Sequence, residues 1–258
     1  MHMLIAGWGG VFLLFAILWM IQRKTGNASI VDIGWAGGIG LLVLYYALVL
    51  PLPALRRWLV AALACAWSFR LALYLFHRNV GKPEDGRYHA LRERWGASAH
   101  WKLLIFFELQ ALTVILLSLP ALAAMRNPNP SVAMTVLAVF LLVFSVGGEA
   151  LADAQLARFK SDPANRGKTC RAGLWGYSRH PNYFFEWLHW WVYVLLSFGS
   201  LWGWATLLAP AAMLYVLVKA TGIPATEAQA VATKGDDYRE YQRTTSAFVP
   251  WFPKKGAK

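Results

Sequence analysis

Acidic residues are scarce in this chain: 13 Asp and Glu stand against 25 Lys and Arg, for a formal net charge of +12. Charge of either sign is also scarce, at 15% of 258 residues, where soluble domains carry about a quarter. So few charges cannot solvate an ordinary globular surface. Cysteine occurs twice, Cys65 in an apolar run and Cys170 in a basic loop. That excludes a disulfide framework and leaves no Cys-based metal-ligand spacing. There is no Walker loop, no strand-then-glycine dinucleotide fingerprint, no HExxH and no Ser-His-Asp pattern. No metal site is expected.

What is present is apolar. Hydrophobic residues make up 58% of the chain, and the mean hydropathy is +0.42. About 20 apolar residues make one helical bilayer span. Seven runs qualify, at about 3–21, 30–50, 58–76, 103–124, 132–152, 183–199 and 201–218. The expectation is an all-α polytopic membrane protein of about seven helices, forming one domain over 1–258. The first run has no basic segment before it, and Arg23 and Lys24 follow it, so it reads as a retained span rather than a signal peptide.

The cations lie between the runs, which argues against nucleic acid as a partner and for basic loops beside a lipid bilayer. All but Arg56, Arg57, Arg70 and Arg126 fall after the first, third and fifth runs or in the tail. The positive-inside bias therefore puts the N-terminus outside and the long loops and C-terminus in the cytoplasm.

Polar groups inside such runs are costly, and so are informative. Ser29-Ile30-Val31-Asp32 reads as a capping box at the start of the second run. Gly37, Gly38 and Gly40 read as sites of close helix packing. Glu149 and Asp153 are four apart, on one helix face. The stretch "GLWGYSRHPNYFFEWLHWW" (173–191) passes from a basic entrance into aromatics. With a helix starting near Pro181, Asn182, Glu186, His189 and Tyr193 form one polar stripe that suits a bound ligand. Arg179 and His180 stand at that helix's entrance, where positive charge and free N–H groups suit a phosphate.

Five stretches carry a resemblance: "VDIGW" (31–35), "EDGRYHALRERWG" (84–96), "GEALADAQLARFK" (148–160), the 173–191 stretch and "YREYQRTTSAFVPWFPKK" (238–255). On these the chain resembles the steroid 5-alpha-reductase-like membrane proteins, most closely their bacterial branch, DUF1295. The family core covers about 84–255. The resemblance implies a seven-helix fold in a bacterial inner membrane, with NADPH bound from the cytoplasmic side. It implies reduction of a carbon–carbon double bond conjugated to a carbonyl in a lipophilic substrate, such as a 3-oxo-Δ4-steroid, with hydride going to the β-carbon.

The same resemblance assigns roles. Asp153, Asn182 and Glu186 fall on cofactor-contacting positions, with Glu186 also a catalytic candidate. Lys160 falls where the family binds the 2′-phosphate. Arg179, His180 and Tyr183 belong to the bacterial form of the motif, and Tyr238 and Tyr241 to a closing segment over the cofactor. His189 and Tyr193 are substrate-lining candidates. Tyr74, Glu108 and Tyr193 are candidates for the acid that polarises the carbonyl. The steroid enzymes' early Gln-Glu pair is missing here. Leu75 stands before Phe76-His77-Arg78 where they carry a tyrosine. Two other readings stay open. One is an S-adenosylmethionine-dependent methyltransferase of the isoprenylcysteine or phospholipid type, which shares an "RHPxY…E" core. The other is a non-catalytic lipid-binding protein.

Overall fold

Hydrocarbon offers no hydrogen bonds, so an apolar run pairs its own backbone and becomes a helix. The computed structural model describes residues 2–220 and 222–254. These are 80% helical, with no strands among the described residues. Six of their helices are long and apolar enough to cross a membrane. The chain divides into two compact units, Met1–Asn129 with Gly199–Gly203, and Pro130–Phe198 with Trp204–Lys258.

The first unit holds α1 (His2–Thr25), α2 (Ile30–Val49), α3 (Ala54–Asn79), α4 (Gly86–Trp95) and α5 (Ala99–Met125). Here α2 packs against α1, α3 and α5. The glycines of α2 make this possible. The Gly40 N–H donates to Ser68 Oγ on α3 at 2.9 Å, and a Cβ on Gly40 would collide with that oxygen. Gly38 faces Val114 of α5, and Gly37 faces Ala72 of α3. Polar links cross the same interior. Trp8 Nε1 donates to the Tyr46 hydroxyl, which also bonds Ser118 Oγ.

The loops at one end of this unit interlock. Glu84 accepts from Ala28 N–H, and Ser29 Oγ accepts from Asp85 N–H. This changes the reading of the start of α2. Ser29 makes no side-chain cap, because its hydroxyl is bonded to the loop before α4. Asp32 instead accepts from Tyr88 Oη at 2.5 Å and Arg87 Nη2 at 2.9 Å. Burial pushes the Asp85 carboxyl up, but the bonded guanidinium of Arg87, with Arg78 near, outweighs burial and holds it below the ordinary value.

The second unit holds α6 (Val132–Ser161), α7 (Pro181–His189), α8 (Trp191–Leu196), α9 (Leu208–Tyr215), α10 (Ile223–Lys234) and α11 (Asp236–Thr244). A π-helical turn, Val216–Ala220, joins α9 towards α10. The run at 183–199 is not one unbroken helix. It forms helices of nine and six residues, too short singly to cross about 30 Å of hydrocarbon. The break falls at Trp190, whose N–H bonds Trp187 O in a tightened final turn. Phe184, Phe185, Trp187, Trp190 and Trp191 crowd this stretch, and large rings lose rotamer freedom against the preceding helical turn. The seventh run joins a longer apolar segment, Gly203–Lys234, long enough to cross a membrane.

The helices expose large apolar side chains and bury some of their polar ones. On α6, Phe140, Val143 and Phe144 are exposed, while Glu149 and Asp153 are each only 4% exposed. Water would select the reverse arrangement; a bilayer selects this one.

Candidate functional site

The site candidates of the second unit gather around the C-terminal half of α6. The segment before α7 docks on that helix. Leu174 N–H donates to Gln155 Oε1 at 2.9 Å, and Trp175 Nε1 donates to Ala152 O at 2.9 Å. Gly173 makes this docking possible. Its φ is +58°, and a Cβ there would collide with the Gln155 amide. Pro181 then opens α7 at a position where its missing N–H costs nothing.

This geometry turns the polar stripe towards α6. Asn182 Nδ2 donates to Asp153 Oδ1 at 3.2 Å. One turn on, the buried Glu186 accepts from Trp190 Nε1 at 3.3 Å. His189 and Tyr193 are fully buried, with Tyr193 Oη 3.2 Å from His189 Nε2. The stripe therefore survives the break at Trp190.

Lys160 lies seven residues after Asp153, on the same face of α6 and about 10 Å further along it. A cavity of about 430 Å³ lies there, lined by Lys160, Arg166, Lys168 and Lys234, with Asp162 the acid among its lining residues. Burial pushes the Cys170 thiol up, against the pull of the Ala172 backbone and of the Lys234 and Lys160 charges. Cys65 and Cys170 are both free thiols.

The remaining candidates hold the fold of this unit. Arg179 Nε donates to Glu227 Oε1 at 2.6 Å, and its Nη1 donates to the carbonyls of Gln242 and Thr245. His180 Nε2 is 3.2 Å from the same carboxylate, and its ring stacks on Tyr183. Tyr183 Oη reaches Thr226 Oγ1. Tyr241 donates to the carbonyls of Trp175 and Ser178, which fixes α11 to the entrance of α7. Burial, and then the Glu227 charge, raise the Tyr238 phenol above its ordinary range. Tyr74 and Glu108 lie on α3 and α5 of the first unit; every other candidate lies in the second.

Glu227 was not singled out by sequence reading, though it binds Arg179, His180 and Gln242. A faint signal existed: it is an isolated acid on an otherwise uncharged stretch of α10. The cluster joining "VDIGW" to "EDGRYHALRERWG" through Asp32, Arg87 and Tyr88 was likewise missed, because each half looks like local capping. No group of His, Cys, Asp and Glu suited to a metal ion occurs among the described residues.

The fold and the apolar exterior define an all-α integral membrane protein with a carboxylate–amide pair and a basic cavity on one helix face. The chain belongs to the DUF1295 family, whose description is a protein of unknown function; the match covers residues 18–245. It is 29% identical to an uncharacterized protein of Schizosaccharomyces pombe, over 93% of this chain and 77% of that one. No solved structure matches it.

Proposed function

We propose that the protein is an NADPH-dependent membrane reductase acting on a conjugated carbon–carbon double bond of a lipophilic enone. The observation that carries this reading is the face of α6. Asp153 and Asn182 form a polar pair at one point, and about 10 Å further on Lys160 opens a cavity with three more cations. An extended phosphorylated dinucleotide has this polarity, with a neutral amide at one end and the 2′-phosphate at the other. The donor set fits: Asp153 and Asn182 offer an acceptor and an amide, and Lys160, Arg166, Lys168 and Lys234 offer charge to a phosphate. S-adenosylmethionine carries no phosphate and offers the four cations only its single carboxylate.

When bound, the cofactor supplies a hydride for the β-carbon of the enone. The chain's own part is to orient and to handle a proton. Asn182 holds the Asp153 carboxylate in place. Trp190 holds Glu186 in a buried position, where a charge acts strongly. The His189–Tyr193 pair keeps a phenol hydrogen-bonded to an imidazole, an arrangement that can deliver a proton to an enolate oxygen. Tyr74 and Glu108 remain candidates for the same task. The basic loops, and with them the cofactor entrance, face the cytoplasm in this proposal.

Tryptophan-to-nicotinamide energy transfer tests the reading, since the chain has 14 tryptophans. Detergent-purified protein titrated with NADPH should show saturable transfer, and weaker transfer with NADH. Lys160→Glu should abolish most of that preference, a loss of about tenfold or more for one charge-assisted contact. No transfer with either nucleotide, together with stabilisation by S-adenosylmethionine, would establish methyl transfer instead.

A further inference from the structure

A second basic cavity lies in the second unit, and the proposed reductase chemistry does not use it. It measures about 600 Å³ and is lined by Arg179 and by most of the residues between Gln242 and Lys254. It shares no lining residue with the cavity at Lys160. Arg179, Arg243 and Lys254 supply its charge, and Thr244 and Ser246 supply hydroxyl-bearing side chains. No Asp or Glu lines it among the described residues. Arg179 is partly neutralised by Glu227, but Arg243 and Lys254 have no side-chain partner among the described residues.

The rim is aromatic. Trp251 and Phe252 line the cavity while 69% and 74% exposed. Such exposure of two large rings is costly in water. It suits a membrane interface, where aromatic side chains sit at headgroup level. The rim is also held in place. Trp251 N–H donates to Tyr177 O at 2.9 Å, Lys254 N–H to Thr244 O at 2.8 Å, and Arg179 N–H to Ser246 O at 2.8 Å. Ser178 Oγ donates to Phe248 O. Because α7, an apolar helix, starts at Pro181 beside Arg179, the cavity opens where apolar helix gives way to basic chain.

We infer that this cavity is a binding site for the phosphate headgroup of an anionic phospholipid, with Arg243 and Lys254 on the phosphate and Trp251 and Phe252 against the upper acyl chains. A free phosphate shares the headgroup's charge but offers nothing to the two rings. The inference is independent of the reductase reading.

The test is native mass spectrometry of the protein released from mixed micelles holding phosphatidylglycerol or phosphatidylcholine. The wild type should retain phosphatidylglycerol in preference to phosphatidylcholine. Arg243→Gln with Lys254→Gln should cut that retention by about fivefold per cation removed, with Arg179 left intact because it holds the fold. Lys160→Glu should leave retention unchanged. Excess inorganic phosphate should not displace the lipid. Equal retention of both lipids by the wild type would overturn the inference, and that measurement needs no variant to fold. Displacement by inorganic phosphate would make the cavity a free-anion site, and displacement by NADPH would assign it to the cofactor. Either result would also overturn the inference.

Discussion

Glu227 shows how much one side chain holds together. Its carboxylate accepts from Arg179 and Gln242 and contacts His180, tying α10 to α11 and to the entrance of α7. The pair with Arg179 is nearly enclosed, with side-chain exposures of 11% and 13%. Removing one partner of such a pair leaves the other charge buried and uncompensated, which costs more than the pair itself contributes. Glu227→Ala should therefore lower stability by about 3 kcal/mol, measured as denaturant unfolding in detergent. Glu240→Ala is the control. Glu240 is 55% exposed in its pair with Arg171, and screened surface pairs contribute about 1 kcal/mol or less. If both substitutions cost the same, the hub role of Glu227 is wrong.

Among the elements, α2 and the short helices α7 and α8 teach opposite lessons. Gly37, Gly38 and Gly40 do allow α2 to approach α3 and α5, as small residues in a membrane helix suggest. Gly40→Ala should cost about 1–3 kcal/mol, because the new methyl must displace Ser68, whose hydroxyl bonds Gly40 N–H and Ala36 O. A thermal shift in detergent measures it; no loss would mean that α3 can move freely away. Asp85, the N-cap of α4, whose N–H bonds Ser29 just before α2, gives a pH signature. Its carboxyl is held below its ordinary value in the folded state. A depressed carboxyl adds stability above its unfolded value and loses that stability as pH falls through the folded one. Lowering pH from about 6 to about 3 should therefore destabilise the wild type more than Asp85→Asn. Equal acid sensitivity would remove Asp85 from the account. By contrast, α7 and α8 were expected as one continuous helix, and the structure breaks it at Trp190. Hydropathy averages over a run and does not see where crowded rings tighten a helix into a break.

For the whole molecule, the arrangement of charge makes an orientation testable. Basic loops after α1, α3 and α6 and the basic tail are proposed to face the cytoplasm. Asn129, exposed in the loop between α5 and α6, would then lie outside. With Cys65 and Cys170 replaced by Ala, Asn129→Cys should react with a membrane-impermeant maleimide in intact cells, and Lys82→Cys only after lysis. The reverse pattern would invert the topology and move the proposed cofactor entrance outside.

Composition alone settled the solvent: a chain this apolar and this poor in charge buries polar groups and exposes apolar ones. Run lengths placed α1, α2, α3, α5 and α6 closely, because hydrocarbon leaves an apolar backbone one way to pair itself. Helical periodicity also placed Asn182, Glu186, His189 and Tyr193 on one stripe. The partners of these residues came only with the tertiary structure. That Asn182 meets Asp153, that Asp32 belongs to Tyr88 and Arg87 rather than to a cap, and that Arg179 and Tyr241 hold the fold could not be read in advance. A residue's type and spacing define which bonds it is able to make. Which groups lie within reach depends on chain segments tens of residues away, and packing alone brings those together.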